Sequence, residues 1–247
     1  PELKKRGFIG TFYVCPGTAT WMTLLGRHDT AFANLKFAAE AGRKHGAIGY
    51  LNTDWGDGGH YNFMECAWPG FLYGAEQSWN ADADRASFWA RFAKLFLNID
   101  APEFAQAIID LGDVAQTSVN GFYQSLWRHV YFACPGDKIL QPVEREASVS
   151  EQGEIATTTL LIDAQLGRDT AKKLELLKAI FAKYAATPDV DPHDVLPYWL
   201  FAIDTLLHAA KKLAILGQGG DDTPENRRLL HAEMTALMAR FEARWMA

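Results

Sequence analysis

The chain has 247 residues, of which 49% are hydrophobic and 22% charged, a composition typical of an ordinary soluble globular protein. Its formal net charge of −6 argues against nucleic acid as the main partner, because an acidic protein gains little by neutralising phosphates. No apolar run approaches the roughly 18 residues that a membrane helix needs, so no membrane partner is expected.

The cysteines Cys15, Cys66 and Cys134 lie far apart, and no pair has CxxC spacing. The sequence therefore predicts neither a zinc site nor a disulfide framework, and no cofactor is expected. Sparse, unpaired cysteines favour a reducing compartment such as the cytoplasm over secretion. Because the sequence begins at Pro1 rather than at a methionine, we expect that a preceding segment has been removed.

The first 65 residues show the pattern of a strand, a helix and a second strand. Gly7–Cys15 (GFIGTFYVC) is rich in aromatic and branched residues and ends at a Pro-Gly pair, which predicts a strand. A helix is predicted from about Ala31 to His45 and ends at Gly46. Ala47–Leu51 is apolar on both faces, as in a buried parallel strand. A parallel sheet needs more strands than two, so this segment is expected to end a larger α/β domain.

The remainder, residues 66–247, is predicted to be an α-helical domain. The predicted helices are Pro69–Trp79, Asp84–Leu97, Pro102–Gln116, Gly121–Phe132, Glu154–Ala186, His193–Leu216 and Pro224–Met246. Pro142–Glu151 is polar and is predicted to be an irregular connection. The fold class is therefore expected to be α/β followed by a larger all-α region.

The segment NTDWGDGGH (residues 52–60) follows the second predicted strand and indicates a binding site. Loops that follow parallel strands meet at one edge of a sheet, where ligands of α/β proteins bind. An indole such as Trp55 can stack on the CH groups of a sugar ring. The carboxylate of Asp57 can accept hydrogen bonds from a pair of hydroxyls. This pairing predicts a sugar site.

Two other interpretations of this segment stay open. In the first, Asp54 and Asp57 merely accept hydrogen bonds from backbone amides in a tight loop. In the second, Asp54, Asp57 and His60, which are spaced three residues apart, bind a divalent ion. That spacing is generic, and the pattern of an EF-hand loop is absent.

A family resemblance follows from the run FYVCPGTATWMTLLGRHDTAFANLKFAAEAGRKHGAIGYLNTDWGDGGHYN and from FLYGAEQSWN after it. These stretches, within residues 8–80, resemble the last barrel strands of glycoside hydrolase family 20, the bacterial β-N-acetylhexosaminidases. The helical remainder is similar to the family only in general character. The resemblance implies that residues 1–65 are the last βα units of a truncated (β/α)8 barrel, followed by a helical domain at 66–247.

The resemblance also implies roles for particular residues. Trp55 and Asp57 match a Trp-x-Glu motif of the family. Its indole forms one side of the acetamido-sugar site, and its carboxylate binds distal hydroxyls. Tyr13 matches the tyrosine of a Tyr-x-Asp motif that holds the substrate acetamide. Cys15 stands at the aspartate position of that motif, and a thiol cannot supply the aspartate's charge. Trp21 is either a second aromatic wall or an indole that packs the loop.

The resemblance implies a retaining mechanism in which the substrate's own acetamide attacks, assisted by an adjacent Asp-Glu pair. No Asp-Glu dipeptide occurs in the sequence, so no catalytic residue is assigned, and the chain alone is expected to be inactive. Asp54 and His60 are expected to support the loop.

The predicted function is thus a C-terminal part of a hexosaminidase that binds an N-acetylhexosamine glycan and needs the missing barrel portion as its partner. The alternative is a non-catalytic helical module for carbohydrate or protein binding, in which self-association covers the strand edge at Gly7–Cys15 and forms a homo-oligomer.

Overall fold

The computed structural model describes residues 5–7, 10–57, 59–80, 82–119, 125–151 and 154–246. Within these residues the protein is mostly helical, with a few short strands. No helix in the described ranges is both long enough and apolar enough to span a bilayer.

The first strands form the parallel βαβ unit that the sequence predicts. Strand β1 (Tyr13–Val14) pairs in parallel with β2 (Gly49–Tyr50), and helix α1 (His28–His45) connects them. Backbone hydrogen bonds continue the pairing beyond both strands, from Ile48 N to Phe12 O and from Leu51 N to Val14 O. The predicted strand Gly7–Cys15 also includes residues 8 and 9, which lie outside the described residues.

Helix α1 covers only one face of this two-stranded sheet. A Cβ added at Gly42 of α1 would lie 3.2 Å from a Val14 methyl, and the Tyr50 hydroxyl donates to the Leu35 carbonyl at 3.1 Å. Because side chains alternate along a strand, Tyr13 lies on the opposite face, where it is 57% exposed. Leu51 is 54% exposed, so the described residues alone do not bury this strand on both faces.

Several predicted helices are present, and some of them begin at a different residue than predicted. Helix α1 begins at His28 rather than Ala31, and it ends at Gly46, whose φ of 73° is left-handed as predicted for a C-terminal glycine. The next helices are α2 (Trp68–Trp79), α3 (Phe88–Arg91), α4 (Pro102–Gln116) and α5 (Leu126–Phe132). The predicted start of α5 at Gly121 lies outside the described residues.

A β-sheet interrupts the helical region, which corrects two predictions. Strands β3 (Ser118–Val119), β4 (Val143–Glu151) and β5 (Glu154–Ile162) form an antiparallel sheet in that order. The segment expected to be irregular is β4, and the first nine residues of the helix expected from Glu154 are β5. The sequence of β5, EIATTTLLI, is rich in β-branched residues, which lose χ1 freedom in a helix and favour strands.

The last helices pack together and complete the core. They are α6 (Ala164–Ala185), α7 (Leu196–Leu216) and α8 (Pro224–Trp245). One cluster of buried apolar side chains runs from the loop before α1 through α4 and α5 to α7, and includes Leu25, Phe32, Leu111, Trp127 and Trp199. The Trp199 indole N–H also donates to the Glu65 carbonyl at 2.9 Å. The core therefore contains residues from both sides of position 65.

Candidate functional site

The loops that follow β1 and β2 lie side by side, as the parallel direction of the strands predicts. Thr18 N donates to Thr53 O, and Thr53 N donates to Pro16 O, both at 2.9 Å. The Thr53 hydroxyl also donates to Pro16 O at 2.8 Å. These bonds extend the β1–β2 ladder as far as the Gly17–Thr53 bridge, so the two loops leave the sheet at one edge.

Two tryptophans flank Gly17 at this edge. A Cβ added at Gly17 would lie 3.0 Å from Trp21 Cζ3 and 3.4 Å from Trp55 Cδ1, so a side chain at this position would press against both indoles. The Trp55 indole N–H donates to the Thr53 hydroxyl at 2.7 Å, which fixes the ring while leaving it 52% exposed. The Arg27 guanidinium lies over the Trp21 ring, 5.1 Å from its centroid, in a cation–π contact. The structure thus brings both predicted indoles together.

Asp57 lies in the turn beyond Trp55. Its side chain is exposed and makes no hydrogen bond or ion pair with the described residues. Gly59, two residues later, has a φ of 90°, which a residue with a side chain rarely adopts. The interpretation of Asp57 as a loop cap therefore finds no partner in the described part of the chain, and its carboxylate faces solvent.

Asp54, in contrast, is largely buried and makes hydrogen bonds within the protein. Its side chain is 10% exposed, and its Oδ1 accepts hydrogen bonds from the hydroxyls of Thr18, at 2.5 Å, and of Thr20. Its Oδ2 lies 3.6 Å from His60 Nε2. Asp54 therefore ties the loop after β2 to the loop after β1, and His60 supports it from the returning chain.

The metal interpretation gains no support from this arrangement. Asp54 is bonded to the two threonines, whereas Asp57 is exposed on the turn. Among the described residues, no group of three or more His, Cys, Asp and Glu side chains could hold a metal ion.

Tyr13 lies farther down the sheet than the two tryptophans. Its ring covers Gly49, its cross-strand neighbour, and occupies the space that a side chain there would need. Gly17 is four residues further along, about 13 Å at the usual rise of a strand. Tyr13 and the exposed Cys15 share the sheet face that α1 leaves uncovered. Tyr13 therefore lies four residues before the Gly17 edge along the chain, and it is not between the two indoles.

Sequence reasoning did not single out several residues that build the site. Asn34 of α1 accepts a hydrogen bond from Gly17 N at 3.0 Å through its side-chain oxygen. The Asn62 amide donates to the carbonyls of Thr20 and Thr23, at 2.9 and 3.0 Å. Buried polar side chains need such partners, so the Asn two residues after His60 was a usable signal of a polar contact in this loop.

Cys66 follows the site but is unsuited to nucleophilic chemistry. The side chain is 1% exposed, and burial raises the pKa of its thiol, so the reactive thiolate is disfavoured. The site consists instead of exposed indole surface, a fixed hydroxyl and one exposed carboxylate.

No protein-family model, characterised protein or solved structure matched the chain in our comparisons.

Proposed function

We propose that the edge formed by Trp21, Trp55 and Asp57 binds an N-acetylhexosamine unit of a glycan. The observation that carries the proposal is the half-exposed Trp55 ring, held by its bond to Thr53 and placed beside a second indole over Gly17. Sugar rings stack their CH groups on such surfaces, and a nearby carboxylate can accept hydrogen bonds from adjacent hydroxyls.

The proposal extends to the enzyme class that the sequence resembles. The chain would be the C-terminal part of a glycoside hydrolase that removes terminal β-linked N-acetylhexosamine by substrate assistance. Because the sequence contains no Asp-Glu dipeptide, the catalytic pair would lie outside these 247 residues. The chain by itself should therefore bind the sugar without cleaving it.

A titration with N-acetylglucosamine, followed by tryptophan fluorescence, tests the binding proposal. We expect saturable binding by the wild type and at least about a tenfold loss of affinity in Trp55→Ala, which corresponds to about 1.4 kcal/mol. Asp57→Asn should weaken binding in the same direction, because the amide replaces the anionic acceptor.

Trp79→Ala is the matched control, since this indole is 89% exposed and lies at the end of α2. It should bind the sugar like the wild type. The proposal would be overturned by a folded wild type that does not bind, or by binding that Trp55→Ala leaves unchanged. Hydrolysis of a nitrophenyl N-acetyl-β-glucosaminide by the chain alone would contradict the expectation that the catalytic pair lies elsewhere.

A further inference from the structure

The side chain of Asn34 lies at the edge of β1 that faces away from β2. Pro16 O and Thr18 N both bond to the Thr53 backbone. The Gly17 N–H between them therefore faces the opposite edge of the strand, because successive residues of a strand bond to opposite neighbours. There it donates to Asn34 Oδ1 at 3.0 Å. Asn34 is thus beside Gly17, the residue that the two indoles flank.

This bond fixes the orientation of the Asn34 amide. The Gly17 N–H can only donate, so the group opposite it must be the amide oxygen, and the NH2 group is turned away from Gly17. Asn34 is exposed, and its NH2 group makes no hydrogen bond with the residues that the structure describes. The edge therefore presents a hydrogen-bond donor that is held in place and not used by the protein.

The donor is close enough to the indoles to contact the same ligand. A Cβ at Gly17 would lie 3.0 Å from Trp21 Cζ3 and 3.4 Å from Trp55 Cδ1, and Gly17 N is 3.0 Å from Asn34 Oδ1. With standard backbone bond lengths, the Asn34 oxygen is therefore at most about 9 Å from either indole atom. An N-acetylhexosamine stacked on Trp55 can span that range, because its acetamide group extends well beyond the pyranose ring.

The other polar groups of the edge leave the acetamide carbonyl to Asn34. The Trp55 N–H donates to the Thr53 hydroxyl, and that hydroxyl donates to Pro16 O, so both donors are engaged. Asp57, on the loop after β2, is an acceptor when it is ionised. An N-acetylhexosamine carries its acetamide and its hydroxymethyl group on opposite sides of the ring. A donor beyond β1 and an acceptor on the β2 side match that arrangement.

We propose that Asn34 selects the N-acetylated sugar by donating a hydrogen bond from its side-chain NH2 group to the acetamide carbonyl. This inference rests on the proposed function, because it concerns the same sugar site. It gives Asn34 a specificity role that Trp21 and Trp55 do not supply, since an indole that stacks on the CH groups of the ring contacts hexoses and N-acetylhexosamines alike.

Titrations with three probes test the inference: N-acetylglucosamine, its N-thioacetyl analogue, and glucose, which has a hydroxyl in place of the acetamide. We expect the wild type to bind N-acetylglucosamine about fivefold more tightly than glucose, as one neutral hydrogen bond allows. The thioacetyl analogue should lose most of this advantage, because sulfur is the weaker acceptor.

Asn34→Asp separates the proposed role from a structural one. The carboxylate keeps the oxygen that accepts from Gly17 N but removes the donor, so the affinity for N-acetylglucosamine should fall at least about fivefold while that for glucose is unchanged. Asn80→Asp is the matched control, because this exposed side chain also accepts from a backbone N–H, that of Asp82 at 3.1 Å, and lies at the end of α2. It should keep the wild-type preference.

Equal losses for both sugars in Asn34→Asp would show that Asn34 only supports the loop, and would overturn the inference. An unchanged preference in Asn34→Asp would also overturn it, although binding that Trp55→Ala abolishes would leave the proposed sugar site standing. A folded wild type that binds none of the probes would overturn the proposed function itself. Should Asn34→Asp fail to fold, the wild type decides the question, since equal affinities for the acetyl and thioacetyl sugars would contradict a hydrogen bond to the carbonyl.

Discussion

At the scale of single residues, His28 is an ionisable side chain buried in the apolar core. Its ring is 4% exposed, stacks on the Trp199 ring at a centroid distance of 5.9 Å and is tilted against the Trp89 ring at 4.9 Å. Neither ring nitrogen has a hydrogen-bond partner in the described part of the chain, and Nδ1 lies 2.9 Å from where a Cβ at Gly112 would be. Burial therefore lowers the pKa of His28 from its ordinary 6.5 to about 4.

This shift makes the stability of the protein depend on pH. The folded pKa is below the unfolded value, so the unfolded chain binds the extra proton first, and stability is lost as pH falls from 6.5 towards 4. The full shift corresponds to about 3 kcal/mol. Chemical unfolding between pH 7 and pH 4.5 should show most of this loss in the wild type and a smaller one in His28→Phe, which keeps a ring in the pocket.

His231→Gln, on the exposed side of α8, is the control and should retain the wild-type slope. Burial also lowers the pKa of His129, so some slope will remain in His28→Phe, and the difference between the two proteins isolates His28. Parallel slopes for wild type and His28→Phe would show that His28 is not held neutral in the core.

At the scale of elements, α8 is joined to α7 by an ionised contact as well as by apolar packing. Of its 22 residues, the buried ones are Leu230 and Leu237. Glu233 joins it to α7, accepting from Lys211 Nζ at 2.9 Å and lying 2.8 Å from Nδ1 of the buried His208. The bond to His208, and then the Lys211 contacts, lower the pKa of Glu233 from 4.5 to about 2.

Glu233→Gln should therefore destabilise the protein at neutral pH. The carboxylate is 37% exposed, so we expect a modest loss of about 1 kcal/mol, or roughly 2–4 °C in Tm. Because the folded pKa is lowered, the contribution is present above pH 4.5 and is lost as pH falls towards 2. Thermal unfolding at pH 7 and pH 3 measures both effects.

Glu242→Gln is the control on the same helix, where the side chain is exposed. It should match the wild type at both pH values. A Glu233→Gln difference that is as large at pH 3 as at pH 7 would show that packing, rather than the ionised contact, holds α8.

The elements that the sequence predicts well are those whose signals are local. Helix α4 has the predicted bounds, because Pro102 occupies its first turn and its apolar residues recur at helical spacing. The β4–β5 hairpin was missed because the polar residues of β4 resemble those of a loop and β5 leads directly into α6. The break between β5 and α6 is marked by Asp163, whose side chain accepts from Leu166 N at 2.9 Å.

In the candidate site, too, the features that follow from local sequence signals were predictable and those that depend on the tertiary fold were not. The meeting of the two loops follows from the parallel direction of β1 and β2, so Trp21, Trp55 and Asp57 could be placed at one edge from the sequence. A supporting role for Asp54 was expected, but its partners could not be predicted, because the two threonines are 34 and 36 residues away and their positions depend on the path of the loop after β1. The position of Tyr13 opposite Gly49 likewise could not be predicted, because it depends on the β1–β2 register.

At the scale of the whole molecule, the continuous core predicts one cooperative unfolding transition. Phe32 of α1 stacks on Tyr73 of α2 at 4.0 Å, and Trp199 of α7 bonds to the Glu65 backbone next to the buried Cys66. Disrupting either side of position 65 should therefore disrupt the other, in contrast to two domains that unfold independently.

Labelling of Cys66 during denaturant unfolding tests this prediction, in a Cys15→Ser, Cys134→Ser variant that removes the exposed thiols. We expect Cys66 to react at the same denaturant midpoint at which helical circular dichroism is lost, because the thiol is exposed only when the core opens. Trp199→Ala should lower both midpoints together, by about 3–5 kcal/mol in stability, because it empties a fully buried site. Labelling well before the loss of helix would instead show that the βα segment opens as a unit of its own, with its boundary near residue 65.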